Sequence, residues 1–215
     1  MIEKALKTKD YQKVERLAYD GIAKDEEDAP GLAEDWRNYL LIVYQQTGDT
    51  GNTVRFARHF LIHSNGRHHP LAYYYELLKF LVPKEQWHDY LSGLIDEIKK
   101  ESRWIDYNRI SQLYIREAYW DELFALLRQN ASFERVADAE QYLAESYSND
   151  LATLYRKLIL THLERNMGRE HYQTACRYIR RMIKQGARPM ATELIQELKV
   201  LYPTRRALLE ELGKA

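Results

Sequence analysis

Residues 31–50, GLAEDWRNYLLIVYQQTGDT, decide the fold class. Apolar side chains stand at Leu32, Trp36, Tyr39, Leu40, Val43 and Tyr44, increments of three and four that gather on one side of a 3.6-residue helix. The same spacing recurs at Ile110, Leu113, Tyr114 and Ala118, and again at Leu151, Leu154, Tyr155, Leu158 and His162. A further stripe runs through Tyr172, Ala175, Cys176, Ile179, Met182 and Ile183. Leu occurs 28 times and Val six, a bias toward helix because Leu keeps its rotamer freedom there and Val does not. No alternating run is bounded by hairpin turns, so the class is all-α.

Short breaks separate the stripes: KTKD at 7–10, QTGDTG at 46–51, SNGRHHP at 64–70, VPKE at 82–85, NMG at 166–168 and QGARP at 185–189. Gly, Pro and Asn end one helix, and Asp, Ser or Thr accept the free amides that open the next. Pro70, Pro83 and Pro189 suit first-turn positions, where a missing amide proton costs nothing. The spacing predicts about ten or eleven helices of 10–18 residues. Loops this short make consecutive helices antiparallel neighbours.

Five junctions read alike: KTKDYQKVERLAYDG, QTGDTGNTVRFARHF, LVPKEQWHDYLSGLI, REAYWDELFALLRQ and GREHYQTACRYIRRM. The first four recur every ~33–39 residues, the range of tetratricopeptide-like repeats. The expected architecture is a single helical-repeat domain over 1–215, its stacked antiparallel hairpins forming a tetratricopeptide-like α-solenoid. MIEKALKTKD reads as the tail of a hairpin's first helix, which predicts a fragment or C-terminal part of a larger protein; the alternative is a short, complete first helix.

Composition bounds the function. The 215 residues carry 32 basic and 32 acidic side chains, with 45% hydrophobic and 30% charged, so a sizeable core sits under a charged surface. Cys176 is the sole cysteine, which excludes an internal disulfide and a multi-cysteine zinc module within these residues. No stretch nears the ~20 apolar residues of a membrane span, and the first ten residues lack the apolar core of a secretory signal. A soluble, cytoplasmic protein without a membrane partner is expected.

The C-terminal string from Tyr155 to Leu212 is the most specific part of the chain. It contains Gly168-Arg169 followed by Tyr172, Ala175, Tyr178 and Ile179, then Met182, Gly186, the ELIQELK helix, and Tyr202-Pro203 with Arg205-Arg206-Ala207-Leu208-Leu209. This string resembles the helical region at the C-terminal end of bacterial SWIM zinc-finger proteins. Upstream, DWRNYLLIVYQQTGD and IREAYWDELFALL resemble that region too, extending the likeness over most of the chain. The family's zinc motif is absent, so its zinc chemistry does not carry over. The resemblance implies a helical accessory portion of a larger protein and supplies no catalytic assignment to carry over.

Other chemistry finds little footing. His59 and His63 lie four apart on one helix face, as two metal ligands would, with His68 and His69 nearby. They lack a neighbouring cysteine and the Glu of a His-Glu-x-x-His motif, and imidazoles at a helix end also suit its terminal carbonyls. Cys176 falls on an apolar stripe, as a buried inert thiol would. No nucleophile elbow, phosphate-cradling loop or dinucleotide fingerprint is present. Glu26-Glu27-Asp28 and Glu210-Glu211 read as solvated helix ends. Trp36, Trp87, Trp104 and Trp120 read as wedges between hairpins, as do most of the 17 tyrosines, with a few tyrosines expected to line the concave face, and at least one ring of Tyr73-Tyr74-Tyr75 must meet solvent or a polar partner. Neither a catalytic residue, a cofactor nor a small-molecule substrate is expected.

The basic C-terminal sub-region, residues 151–215, is the place to look. It holds 13 basic and six acidic residues, a net of +7, against −7 for residues 1–150. Arg177, Arg180, Arg181 and Lys184 recur at helical spacing, and Arg188, Arg205 and Arg206 follow within two helices. Such a cluster grips an acidic partner or phosphates, or else pairs internally with Glu193, Glu197 and Glu210. For Arg205 and Arg206 the alternative to partner binding is anchoring the last helix. Two functions follow: a non-catalytic scaffold for protein partners, or a nucleic-acid-associated module using the basic face.

Overall fold

The structure, a computed structural model, describes residues 1–63, 67–101 and 106–215. Trp104 and part of the 64–70 break lie outside the described residues. Twelve α-helices and no strand occur among the described residues: α1 (Ile2–Lys7), α2 (Tyr11–Asp25), α3 (Pro30–Thr47), α4 (Thr50–His63), α5 (Leu71–Leu81), α6 (Trp87–Glu101), α7 (Tyr107–Glu117), α8 (Trp120–Gln129), α9 (Phe133–Arg165), α10 (Arg169–Lys184), α11 (Arg188–Leu201) and α12 (Arg206–Leu212). A 3₁₀ turn, Lys84–Gln86, leads into α6. Among the described residues, no helix is long and apolar enough to cross a membrane.

The helix starts follow their caps. Asp10 accepts the Lys13 amide at 3.2 Å, Asp49 that of Asn52 at 3.0 Å, and Ser132 that of Arg135 at 3.2 Å. Pro189 and also Pro30 stand in a first turn. Pro70 and Pro83 stand one step earlier, preceding α5 and the 3₁₀ turn, where the fixed φ serves an extended ψ of 157° and 137°.

Four junctions share one turn. A residue in the left-handed region, Lys9 (φ 58), Gly48 (φ 75), Ala118 (φ 55) or Gly186 (φ 91), is followed at once by the residue that opens the next helix. The amide of that following residue donates five residues back: Asp10 to Ala5, Asp49 to Tyr44, Tyr119 to Tyr114 and Ala187 to Met182, at 2.9–3.0 Å. Five residues beyond the left-handed position stand Val14, Thr53, Leu123 and Ala191, all buried. Three of the five junctions that read alike in sequence use this turn. The junction at VPKE takes the 3₁₀ route instead, and Gly168 (φ 117) opens α10 differently.

The contacts group into two compact units, Met1–Ile110 and Ser111–Ala215, with the division inside α7. In the first, α2 packs on α3, α3 on α4, and α4 on both α5 and α6. Its centre holds Val14, Ala18, Leu40, Val43, Ala57, Phe60, Tyr74 and Leu91, all fully buried. Gly21 permits the close approach of α2 to α3, since a Cβ there would lie 2.5 Å from the Trp36 ring. Leu32 leaves the predicted stripe and stays 49% exposed. In the second unit α10 packs against α9, α11 and α12.

Helix α9 departs most from expectation. At 33 residues it exceeds the expected length, and Tyr147 (φ −123, ψ 23) breaks it internally. Ser146 and Ser148 flank the kink, and serine side chains compete for helix backbone groups. Beyond it the deepest line is Leu151, Ala152, Tyr155, Ile159 and Leu163, which leaves Leu154, Leu158 and His162 partly exposed.

The shared turn makes a paired prediction. Gly48→Ala loses about 1 kcal/mol, because an added Cβ meets nothing within 4 Å and only the left-handed backbone penalises it. Ala118→Gly changes the unfolding free energy from urea titration the opposite way, by up to about 1 kcal/mol.

Candidate functional site

Helix α10 turns one face inward and one outward. Tyr172, Ala175, Cys176, Tyr178, Ile179 and Met182 are buried, while Arg177, Arg180 and Lys184 are exposed. None of these three makes an ion pair among the described residues. The Arg177 guanidinium lies 5.0 Å from the centroid of the Tyr178 ring, which stacks on Phe133 at 4.2 Å and on Tyr155 at 5.4 Å. Arg188 and Arg206 are exposed first residues of α11 and α12, likewise without an ion pair among the described residues.

Arg181 and Arg205 are used internally. Arg181 forks onto Glu140 of α9, Nε to Oε1 at 3.0 Å and a terminal nitrogen to Oε2 at 2.6 Å, and also donates to the Ala137 carbonyl at 3.3 Å. The buried Tyr155 hydroxyl donates to the same carboxylate from beyond the Tyr147 kink. Burial, and then the bond to Glu140, push the Tyr155 phenol up, so it stays a neutral donor. Arg181 thereby ties both arms of α9 to α10. Arg205 donates to the Leu163 carbonyl at 2.6 Å and lies 3.9 Å over the Tyr202 ring, satisfying one of the carbonyls that α9 leaves open at its end.

The acids read as internal partners mostly serve other bases. Glu197 pairs with Arg156 at 2.7 Å and Glu210 with Arg169 at 2.5 Å. Glu211 is buried and bonded to Lys214 at 3.1 Å, a bond that outweighs desolvation and holds its carboxyl below the usual range. Sequence spacing gave no sign of Glu140, which stands 41 residues before Arg181.

The histidines serve local bonds. His59 Nε2 lies 2.9 Å from Glu34, whose carboxyl burial raises, but which His59 and Arg37 together hold below its ordinary value. The His59 and His63 rings are 4.6 Å apart, His68 Nε2 lies 3.3 Å from Asp35, and His69 stacks on Tyr73 at 4.1 Å. Among the described residues no group of three His, Cys, Asp or Glu side chains is placed to hold a metal. Burial pushes the Cys176 thiol up to about 11, which keeps it protonated. Tyr73 binds Gln45 at 2.8 Å, the polar partner that the Tyr73–Tyr75 run requires, while Tyr74 and Tyr75 are buried. In the first unit a cavity of about 490 Å³ is lined by Leu32, Asp35, Trp36, Asn38, Tyr39 and His68 together with Met1–Glu3.

Comparison with models of known protein families, with curated proteins and with solved structures finds no match to this chain.

Two arginines adjacent in sequence should behave differently. Arg181→Met leaves the half-buried Glu140 short of its partner and costs about 1–3 kcal/mol, whereas Arg180→Met stays within about 0.5 kcal/mol, both read from chemical denaturation. A second expectation concerns pH. Burial, then the charge of His171 at 5.1 Å, lower the pKa of His162. The unfolded chain therefore binds the extra proton more readily, and stability declines as pH falls through the range below about 6.5. Thermal midpoints measured from pH 7.5 to 5 should drop, with a shallower drop for His162→Gln.

Proposed function

We propose that the chain is a non-catalytic helical-repeat scaffold, a tetratricopeptide-like α-solenoid of antiparallel hairpins that binds protein partners. The observation that carries this reading is the turn shared by Lys9, Gly48, Ala118 and Gly186. A left-handed residue ends many helices of any fold, and its repetition here ahead of a buried residue at a fixed offset supports hairpins of one kind stacked in series. The resemblance of residues 155–212 to the helical region of SWIM zinc-finger proteins supports an accessory role within such a protein, in the cytoplasm.

A second reading, phosphate binding through the C-terminal basic face, is favoured by the exposed cations Arg177, Arg180, Lys184, Arg188 and Arg206. Small-angle scattering tests the architecture, because a compact globule of this length has a radius of gyration near ~17 Å and a solenoid well above it. A value at the compact figure overturns the solenoid. Titration with random-sequence DNA and RNA tests the second reading: tight binding that collapses with added salt replaces the protein-scaffold function, and no binding at low salt removes the alternative.

A further inference from the structure

We infer that Arg177, Arg180 and Lys184 form a docking stripe for an acidic segment of a partner protein, a helix presenting carboxylates at i, i+3 and i+7. This rests on the protein-binding reading above and names its surface and chemistry.

Geometry comes first. Steps of three and four residues at 1.5 Å per residue set the three side chains about 4.5 and 6 Å apart along the axis and within about 60° around it. An acidic helix with the same steps offers one carboxylate to each cation, and guanidinium groups take carboxylates in a fork. The stripe is also left over after the internal pairing of its own helix and neighbours. Arg156, Arg169 and Arg181 of the second unit all hold carboxylates, and Arg205 holds a carbonyl. Of the six acidic residues in 151–215, Glu170, Glu197, Glu210 and Glu211 already face His171, Arg156, Arg169 or Lys214. Two remain, against eight exposed cations of the same stretch without an ion pair among the described residues, Arg177, Arg180 and Lys184 among them.

Rigidity favours binding. The buried side of α10 holds Cys176, Ile179 and Met182 with no exposed surface, and the ring beneath Arg177 is itself stacked on two others. A cation held on a fixed base loses less freedom on docking than one on a frayed segment. A protein partner fits better than a nucleic acid. The tyrosines of α10, Tyr172 and Tyr178, are buried, so the stripe offers no exposed ring on which bases stack. Three cations over about 10 Å also neutralise few phosphates.

The test uses the whole chain and three labelled probes: an alanine-rich helical peptide with Glu at i, i+3 and i+7, its Gln counterpart, and an oligothymidine. Fluorescence anisotropy at low salt should give binding of the Glu peptide, about tenfold weaker for the Gln peptide and about tenfold weaker again for the triple variant Arg177→Glu, Arg180→Glu, Lys184→Glu. A Lys-substituted peptide should bind that variant better than the parent. Circular dichroism melts of the variant serve as the folding control; should it melt early, Arg180→Gln alone carries the comparison. Equal affinity for Glu and Gln peptides, indifference to the substitutions, or preferential binding of the oligothymidine through the same three residues overturns the inference. These outcomes leave the scattering result untouched, so a failed stripe and a failed solenoid are told apart.

Discussion

The amide that donates five residues back across a left-handed residue is the constraint on which four of the helix junctions depend. It closes one helix and positions the opening residue of the next without an intervening loop. Because the turn has a fixed length, the residue five beyond it arrives at a fixed place, and Val14, Thr53, Leu123 and Ala191 all arrive buried. Gly48 and Gly186 meet this requirement with a backbone built for it, whereas Lys9 and Ala118 meet it with a Cβ that the left-handed region disfavours. Burial of the flanking helices, at roughly 1.5–3 kcal/mol for each large apolar side chain, readily exceeds that cost.

Much of this was legible in the sequence, for a definable reason. Breaks marked by Gly48, Gly186 and Pro189 were visible because those residues act locally. The turns at Lys9 and Ala118 were visible only as polar junctions, since neither residue advertises a positive φ. The kink at Tyr147 was invisible: no Pro or Gly stands there, and the helix resumes on the far side. The registration of α9 was misplaced after the kink for the same reason, which left His162 at the margin of the core and Leu163 within it.

The basic face divides along a similar line. Helical spacing identified Arg177, Arg180, Arg181 and Lys184 as neighbours, and spacing alone treats them alike. A 3.6-residue repeat separates Arg180 from Arg181 by about 100° of rotation, enough to place one in solvent and the other against Glu140. Arg205 likewise reaches a carbonyl 42 residues earlier in the chain. Long-range partners of this sort make the difference between an arginine that holds the fold and one left to meet something else. The charge asymmetry of the two stretches, −7 and +7, is partly consumed by such ties and otherwise displayed.

Cys176 gives the second unit a built-in chemical clock. As the sole cysteine, without exposed surface and with its thiol pushed up to about 11, it is shielded from alkylating reagents until α10 lifts from its neighbours. The rate at which the intact protein acquires a single covalent label therefore times the opening of that unit alone, residue-specifically and without an added probe.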